Sequence, residues 1–80
     1  MLGDIKDTPH LVGVKQSRRA IGEGLVQIAY MAQDADEAVR VPLEALCQDA
    51  GVTIIPVPTM RELGVACGIP VGATIAVILK

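Results

Sequence analysis

The stretch LGVACGIPVGATIAVIL, Leu63 to Leu79, contains no charged residue, and glycines recur in it at Gly64, Gly68 and Gly72. A transmembrane helix needs about 18–20 uninterrupted apolar residues. This run is slightly short, and Gly68, Pro70 and Gly72 break its middle. It divides instead into three parts. Leu63–Cys67 ends a helix, Gly68–Gly72 is a loop, and Ala73–Leu79 is a strand whose continuous apolarity suits burial on both faces. No membrane partner is therefore expected. The loop is unusual in setting apolar Ile69 and Val71 on a tight turn, where flanking glycines permit positive φ and close approach by another chain.

Working outward, two further apolar runs read as strands, Leu25–Ala32 and Val52–Val57, with a fourth, shorter one at His10–Val12. Helical patterns lie between them. From Val14 to Gly22, Val14, Ser17 and Ile21 share one side, while Lys15, Arg18, Arg19 and Gly22 share the other. Gly22-Glu-Gly24 then stops the helix. In PLEALCQDAG, Pro42 suits a first helical position. Leu43, Leu46, Cys47 and Ala50 form a stripe, and Gly51 suits the position after the end. Thr59 and Glu62 have capping-box spacing, ahead of a buried face of Met60, Leu63 and Cys67. The alternation predicts a single α/β domain over residues 1–80, a three-layer α-β-α sandwich with a mixed four-stranded sheet.

Composition narrows the function. Of 80 residues 51% are hydrophobic, and Tyr30 is the only aromatic, so the core is aliphatic and stacking bases on aromatic rings is nearly excluded. The formal charge of −2 weighs weakly against nucleic acid, but the charges are segregated. Residues 11–21 hold Lys15, Arg18 and Arg19 with no acid, whereas Asp34, Asp36 and Glu37 cluster elsewhere. Two cysteines make no disulfide framework, and the acidic, polar start is unlike a signal peptide, so a cytoplasmic protein with reduced thiols is expected.

Two features could carry a function. In GVKQSRR, Gly13–Arg19, a helix start offers free backbone N–H groups and the positive dipole end, both attractive to phosphate. Lys15, Arg18 and Arg19 add mobile charge, and Gln16 has the donor and acceptor groups that suit a base edge. Three basic residues in five usually mean a solvated helix face, and charge alone favours that reading. The loop Gly68–Gly72 is either an ordinary turn with its aliphatics folded inward or an apolar platform for an unstacked base. Other candidates are weaker. His10 lacks a Cys or acid at ligand spacing, Cys47 and Cys67 lie on the apolar stripes of different helices, and the acidic run lacks the further ligands of a calcium loop. That run reads as a solvated connection. No nucleophile–base pair appears, so no enzyme, metal or cofactor is expected.

GVKQSRRAI (Gly13–Ile21), Asp34-Ala-Asp36 and MRELGVACGIPVGATIAVI (Met60–Ile78) together resemble the kink-turn-binding ribosomal protein family, and most closely its small bacterial ribosomal-protein-like members. The likeness runs from about Leu11 onward, and its most specific part is Leu63, Gly64, Ala66 and Gly68 ahead of an apolar strand. The resemblance implies a three-layer fold that binds structured RNA containing a kink-turn, a duplex bent by a short bulge beside sheared G·A pairs. It implies a helix start in the widened major groove, carried here by Gly13, Val14, Lys15, Gln16 and Arg19 with Arg18 adjacent. It also implies a loop against the bulged bases, carried by Cys67, Gly68, Ile69, Pro70 and Val71. Two departures stand out. Many relatives carry Asn-Glu where this chain has Lys15-Gln16, and Pro70 removes a backbone donor from the loop. A monomer is expected when free of RNA. The alternative is a protein-interaction or structural subunit that uses Ile69–Val71.

Overall fold

The computed structural model describes Ile5 and residues 7–80. In chain order the elements are β1 (His10–Val12), α1 (Val14–Gly22), β2 (Val26–Ala32), α2 (Glu37–Asp49), β3 (Thr53–Val57), α3 (Met60–Cys67) and β4 (Ile75–Leu79). The sheet has the order β1-β4-β2-β3, with β4 antiparallel to both neighbours and β2 parallel to β3. A mixed four-stranded sheet is thus present, as the alternating pattern leads one to expect. No helix among the described residues is long and apolar enough to cross a membrane.

Burial follows from position in the sheet. β4 lies inside it, and Ile75 to Ile78 are all buried. Their side chains alternate: Ile75 and Val77 join Ala29, Met31, Ala20, Ile21, Leu43 and Cys47 beneath α1 and α2. Ala76 and Ile78 face Ala32, Val57, Leu63, Ala66 and Cys67 beneath α3, together with Ile5. Two helices therefore cover one face of the sheet and one helix covers the other. A bulge refines the pattern in β2. Val26 pairs with Leu79 and Ile28 with Ile78, so Gln27 is an extra residue. One extra residue reverses side-chain parity. Val26 consequently joins the α1–α2 core, while Ile28, two positions on, packs on the α3 side. Pro56 in β3 is tolerated because β3 is an edge strand and no ladder partner on the outside needs its missing N–H.

The helix boundaries show where sequence signals compete. α1 and α3 span the expected residues, and Thr59 Oγ1 accepts the Glu62 N–H at 3.1 Å. The strands Val26–Ala32, Thr53–Val57 and Ile75–Leu79 begin one or two residues later than the apolar runs suggest. The expectation that Pro42 opens α2 is corrected: the helix begins at Glu37, capped by Asp36, whose Oδ1 accepts the Ala38 N–H at 2.9 Å. Pro42 lies inside it. There it removes the hydrogen bond to the Ala38 carbonyl, and Ala38 is exposed, so water can take that place. Asp36 and Glu37 are accordingly a helix start rather than a solvated connection.

Gly64 is the tightest position of the fold. A Cβ there would run into the carbonyl of Val71 and approach the Gly72 Cα to 3.1 Å, both backbone atoms. Gly22, by contrast, has open space around it and an ordinary φ. Gly64→Ala is expected to lose about 2–3 kcal/mol, the scale of overpacking against a wall that cannot yield. Gly22→Ala should gain up to about 1 kcal/mol by restricting the unfolded chain. Denaturant melts of both variants check this, and equal midpoints would contradict the close packing of α3 on the loop.

Candidate nucleic-acid interface

The topology gathers four chain segments at one end of the sheet. Because β4 is antiparallel to β1 and β2, its first residue lies beside their last. The Gly13 N–H donates to the Ile75 carbonyl at 3.1 Å, and the Ala32 N–H to the Thr74 carbonyl at 2.9 Å. The start of α1 and the end of β2 are therefore tied to consecutive residues, Ile75 and Thr74, at the point where the loop runs into β4. Val12 and Ile69 also pack against the same core cluster. The start of α1 and the end of the Gly68–Gly72 loop thus lie at the same end of the sheet.

On the helix side, Gly13 is the N-cap with φ 108°, a conformation that L side chains rarely adopt. It offers no capping side chain, and the first turn of α1 contains no acid. The dipole end and its backbone donors are therefore left without an anionic partner from the helix itself. The other two helices differ. α2 has Asp36 and Glu37 at its start, and α3 has Thr59, Glu62 and the Asp34 carboxylate, which accepts the Met60 N–H at 2.8 Å. Lys15, Gln16, Arg18 and Arg19 are exposed, Val14 is half-buried, and Ser17, Ala20 and Ile21 are buried. α1 thus splits into the expected cationic and core faces. Arg19 Nε lies 3.5 Å from Glu23 Oε2, with both side chains largely in solvent. Such a pair is worth about 0.3–0.5 kcal/mol, so Arg19 remains free to swing toward another anion.

On the loop side, the two expected roles are divided between residues. Ile69 is half-buried and packs inward on the α3 core, as an ordinary turn would have it. Val71 is 67% exposed, and Gly68 and Pro70 are also exposed. The loop thus presents Pro70 and Val71 outward over a floor that includes Ile69. The side chain of Cys67 belongs to the core beneath α3, at 7% exposure. Val65, 68% accessible, is an apolar residue that the sequence reading did not single out, although its spacing from Leu63 and Cys67 sets it off the buried stripe of α3.

The remaining chemistry-bearing residues are placed elsewhere. His10 Nδ1 lies 2.7 Å from the Thr8 carbonyl. Cys47 and Cys67 are in the two separate cores on opposite faces of the sheet. Burial pushes both thiols above their ordinary pKa, with the Glu44 carboxylate adding to the effect at Cys47. Both effects suppress the reactive thiolate. A thiol reagent at neutral pH is expected to label neither cysteine in the native chain and both after unfolding in denaturant. Rapid native labelling would place a thiol at the surface.

The family model for ribosomal protein L7Ae/L30e/S12e/Gadd45 matches residues 5–80. The RNA-binding protein TTE2299 of Caldanaerobacter subterraneus subsp. tengcongensis is 41% identical over 66 residues, which cover 82% of this chain and 80% of that protein. The RNA-binding protein YbxF of Geobacillus stearothermophilus is 37% identical over 70 residues, covering 88% and 85% respectively. Among solved structures, the Giardia lamblia 15.5kD RNA binding protein superposes with a TM-score of 0.90 at 25% identity, over 99% of this chain and 70% of that one.

Proposed function

The chain belongs to the ribosomal protein L7Ae/L30e/S12e/Gadd45 family, and from that premise we propose that it is a non-enzymatic RNA-binding protein which recognises and stabilises kink-turns. The observation that carries this reading is the junction at the start of β4. There the uncapped, acid-free tip of α1 and the Val71-bearing loop hang from adjacent residues through the Gly13–Ile75 hydrogen bond. A regular RNA duplex hides its base edges in a deep, narrow major groove. A kink opens that groove, so a small protein with net charge −2 can bind through shape and a few placed contacts.

In this reading the backbone N–H groups at Val14, Lys15 and Gln16 face the phosphates and base edges at the G·A pairs. Gln16 accepts guanine donors through its amide oxygen, and Lys15 supplies the charge that a glutamine lacks. Arg19, with Arg18 beside it, holds the flanking phosphates. Gly68, Ile69, Pro70 and Val71 form the surface for the looped-out bases, with Cys67 supporting it from the core. Because only the bent RNA meets both halves at once, binding draws RNA from extended to kinked conformers. The names of the relatives support RNA as the ligand, and the Giardia lamblia 15.5kD RNA binding protein shares the fold.

A gel-shift comparison tests the reading, with a clear preference for a kink-turn RNA over a straight duplex of the same length expected and equal affinity contradicting it. Arg19→Ala should weaken binding roughly tenfold and flatten the salt dependence by about one phosphate contact, near 0.9 in the log–log slope. Glu23→Gln, which releases Arg19 from its ion pair, should raise affinity about twofold, the scale of an exposed i,i+4 pair. The exposed Val65 and Val71 also support a second reading, a protein-docking loop. Reversal of Lys15, Arg18 and Arg19 to acids separates the two, since it would abolish RNA binding and spare an apolar protein contact.

A further inference from the structure

Asp34 sits in the connection between β2 and α2, yet its carboxylate bonds 26 positions along the chain, accepting the Met60 N–H at 2.8 Å. Met60 opens α3 and is tied to the loop before β4 at three other points. Its carbonyl accepts the Ala73 N–H at 3.0 Å, and its sulfur accepts the Thr74 hydroxyl at 3.6 Å. Gly72 packs so tightly over it that an added Cβ would lie 3.1 Å from the Met60 Cβ. One turn further along α3, Gly64 packs against the Val71 backbone. The loop therefore lies along α3 as on a template, and that template is held at its first residue by Asp34.

We propose that Asp34 is a positioning residue for the Gly68–Gly72 loop: through Met60 it sets where Val71 stands relative to the tip of α1. The consequence for RNA rests on the kink-turn reading, but the positioning itself does not. Asp34 is exposed and caps α3 from outside the helix. Thr59 Oγ1 separately satisfies the Glu62 N–H, so α3 keeps one of its two side-chain caps when Asp34 is changed. Loss of one of two caps leaves a folded chain.

The test uses the full chain as Asp34→Ala and Asp34→Asn. In free protein, Asp34→Ala is expected to move the backbone amide resonances of Met60, Gly72 and Ala73 while those of Gly13 to Gln16 stay in place. Asn, which keeps a side-chain oxygen acceptor, should restore them. Against a kink-turn RNA, Asp34→Ala should bind about fivefold more weakly, the equivalent of one cap, and Asn should lie within about twofold of wild type. The loss should largely vanish in a Val71→Ala background and persist in a Gln16→Ala background, because only neighbours that share a contact couple. A merely structural role would give equal losses in both backgrounds. Unmoved loop amides, an Asn variant as impaired as Ala, or equal losses would each overturn the proposal. If wild type itself shows no preference for the kinked RNA, the functional reading falls and the amide shifts alone decide the role of Asp34.

Discussion

At the N-terminal end of β4, two backbone bonds, Gly13 N–H to Ile75 and Ala32 N–H to Thr74, hold the tip of α1 and the end of β2 to a single buried strand. A third, from the Ala73 N–H to Met60, fastens the preceding loop to α3. The rest of the molecule serves this arrangement. β4 is interior to the sheet, and its side chains alternate between the core under α1 and α2 and the core under α3. Neither layer can shift without disturbing the same strand. In a domain of this size, with an aliphatic interior and a lone tyrosine, such shared anchoring is what keeps two surface features in fixed relation.

Electrostatics follow from the same economy of parts. The chain has more acids than bases, yet the acids near helix starts serve as caps: Asp36 for α2 and Asp34 for α3, with Glu37 and Glu62 in the first turns. Each neutralises a dipole end that would otherwise attract an anion. α1 alone begins with a glycine and no acid, and it alone carries Lys15, Arg18 and Arg19. The positive field is thus local, and the net charge conceals it. This suits a ligand recognised by bend and base edge more than by total phosphate charge.

Much of this was legible in the residues. Glycines bracket α1, a threonine cap opens α3, and the apolar runs mark the strands, so these elements fall where local chemistry sends them. The start of α2 was not, because Pro42 imitates a first helical position while Asp36 and Glu37 supply a stronger start six and five residues earlier. A proline on an exposed helix face leaves unpaired only one carbonyl, which water reaches. The loop was half legible. Ile69 and Val71 look alike in sequence, and only the packing on α3 turns one inward and leaves the other in solvent. The bond from Asp34 to Met60 joins residues that no periodicity connects. Local patterns carry no trace of it, although the aspartate itself was visible within the run that resembles the family.

The central claim is that the α1 tip and the loop act as one surface. Its most direct measurement is the titration of isotope-labelled protein with a kink-turn RNA, following the backbone amides by NMR. The signals of Gly13 to Arg19 and of Gly68 to Val71 are expected to move together and saturate at the same RNA concentration, with the outer face of α2 unaffected. Perturbation of the α2 face, or of one segment without the other, would contradict it.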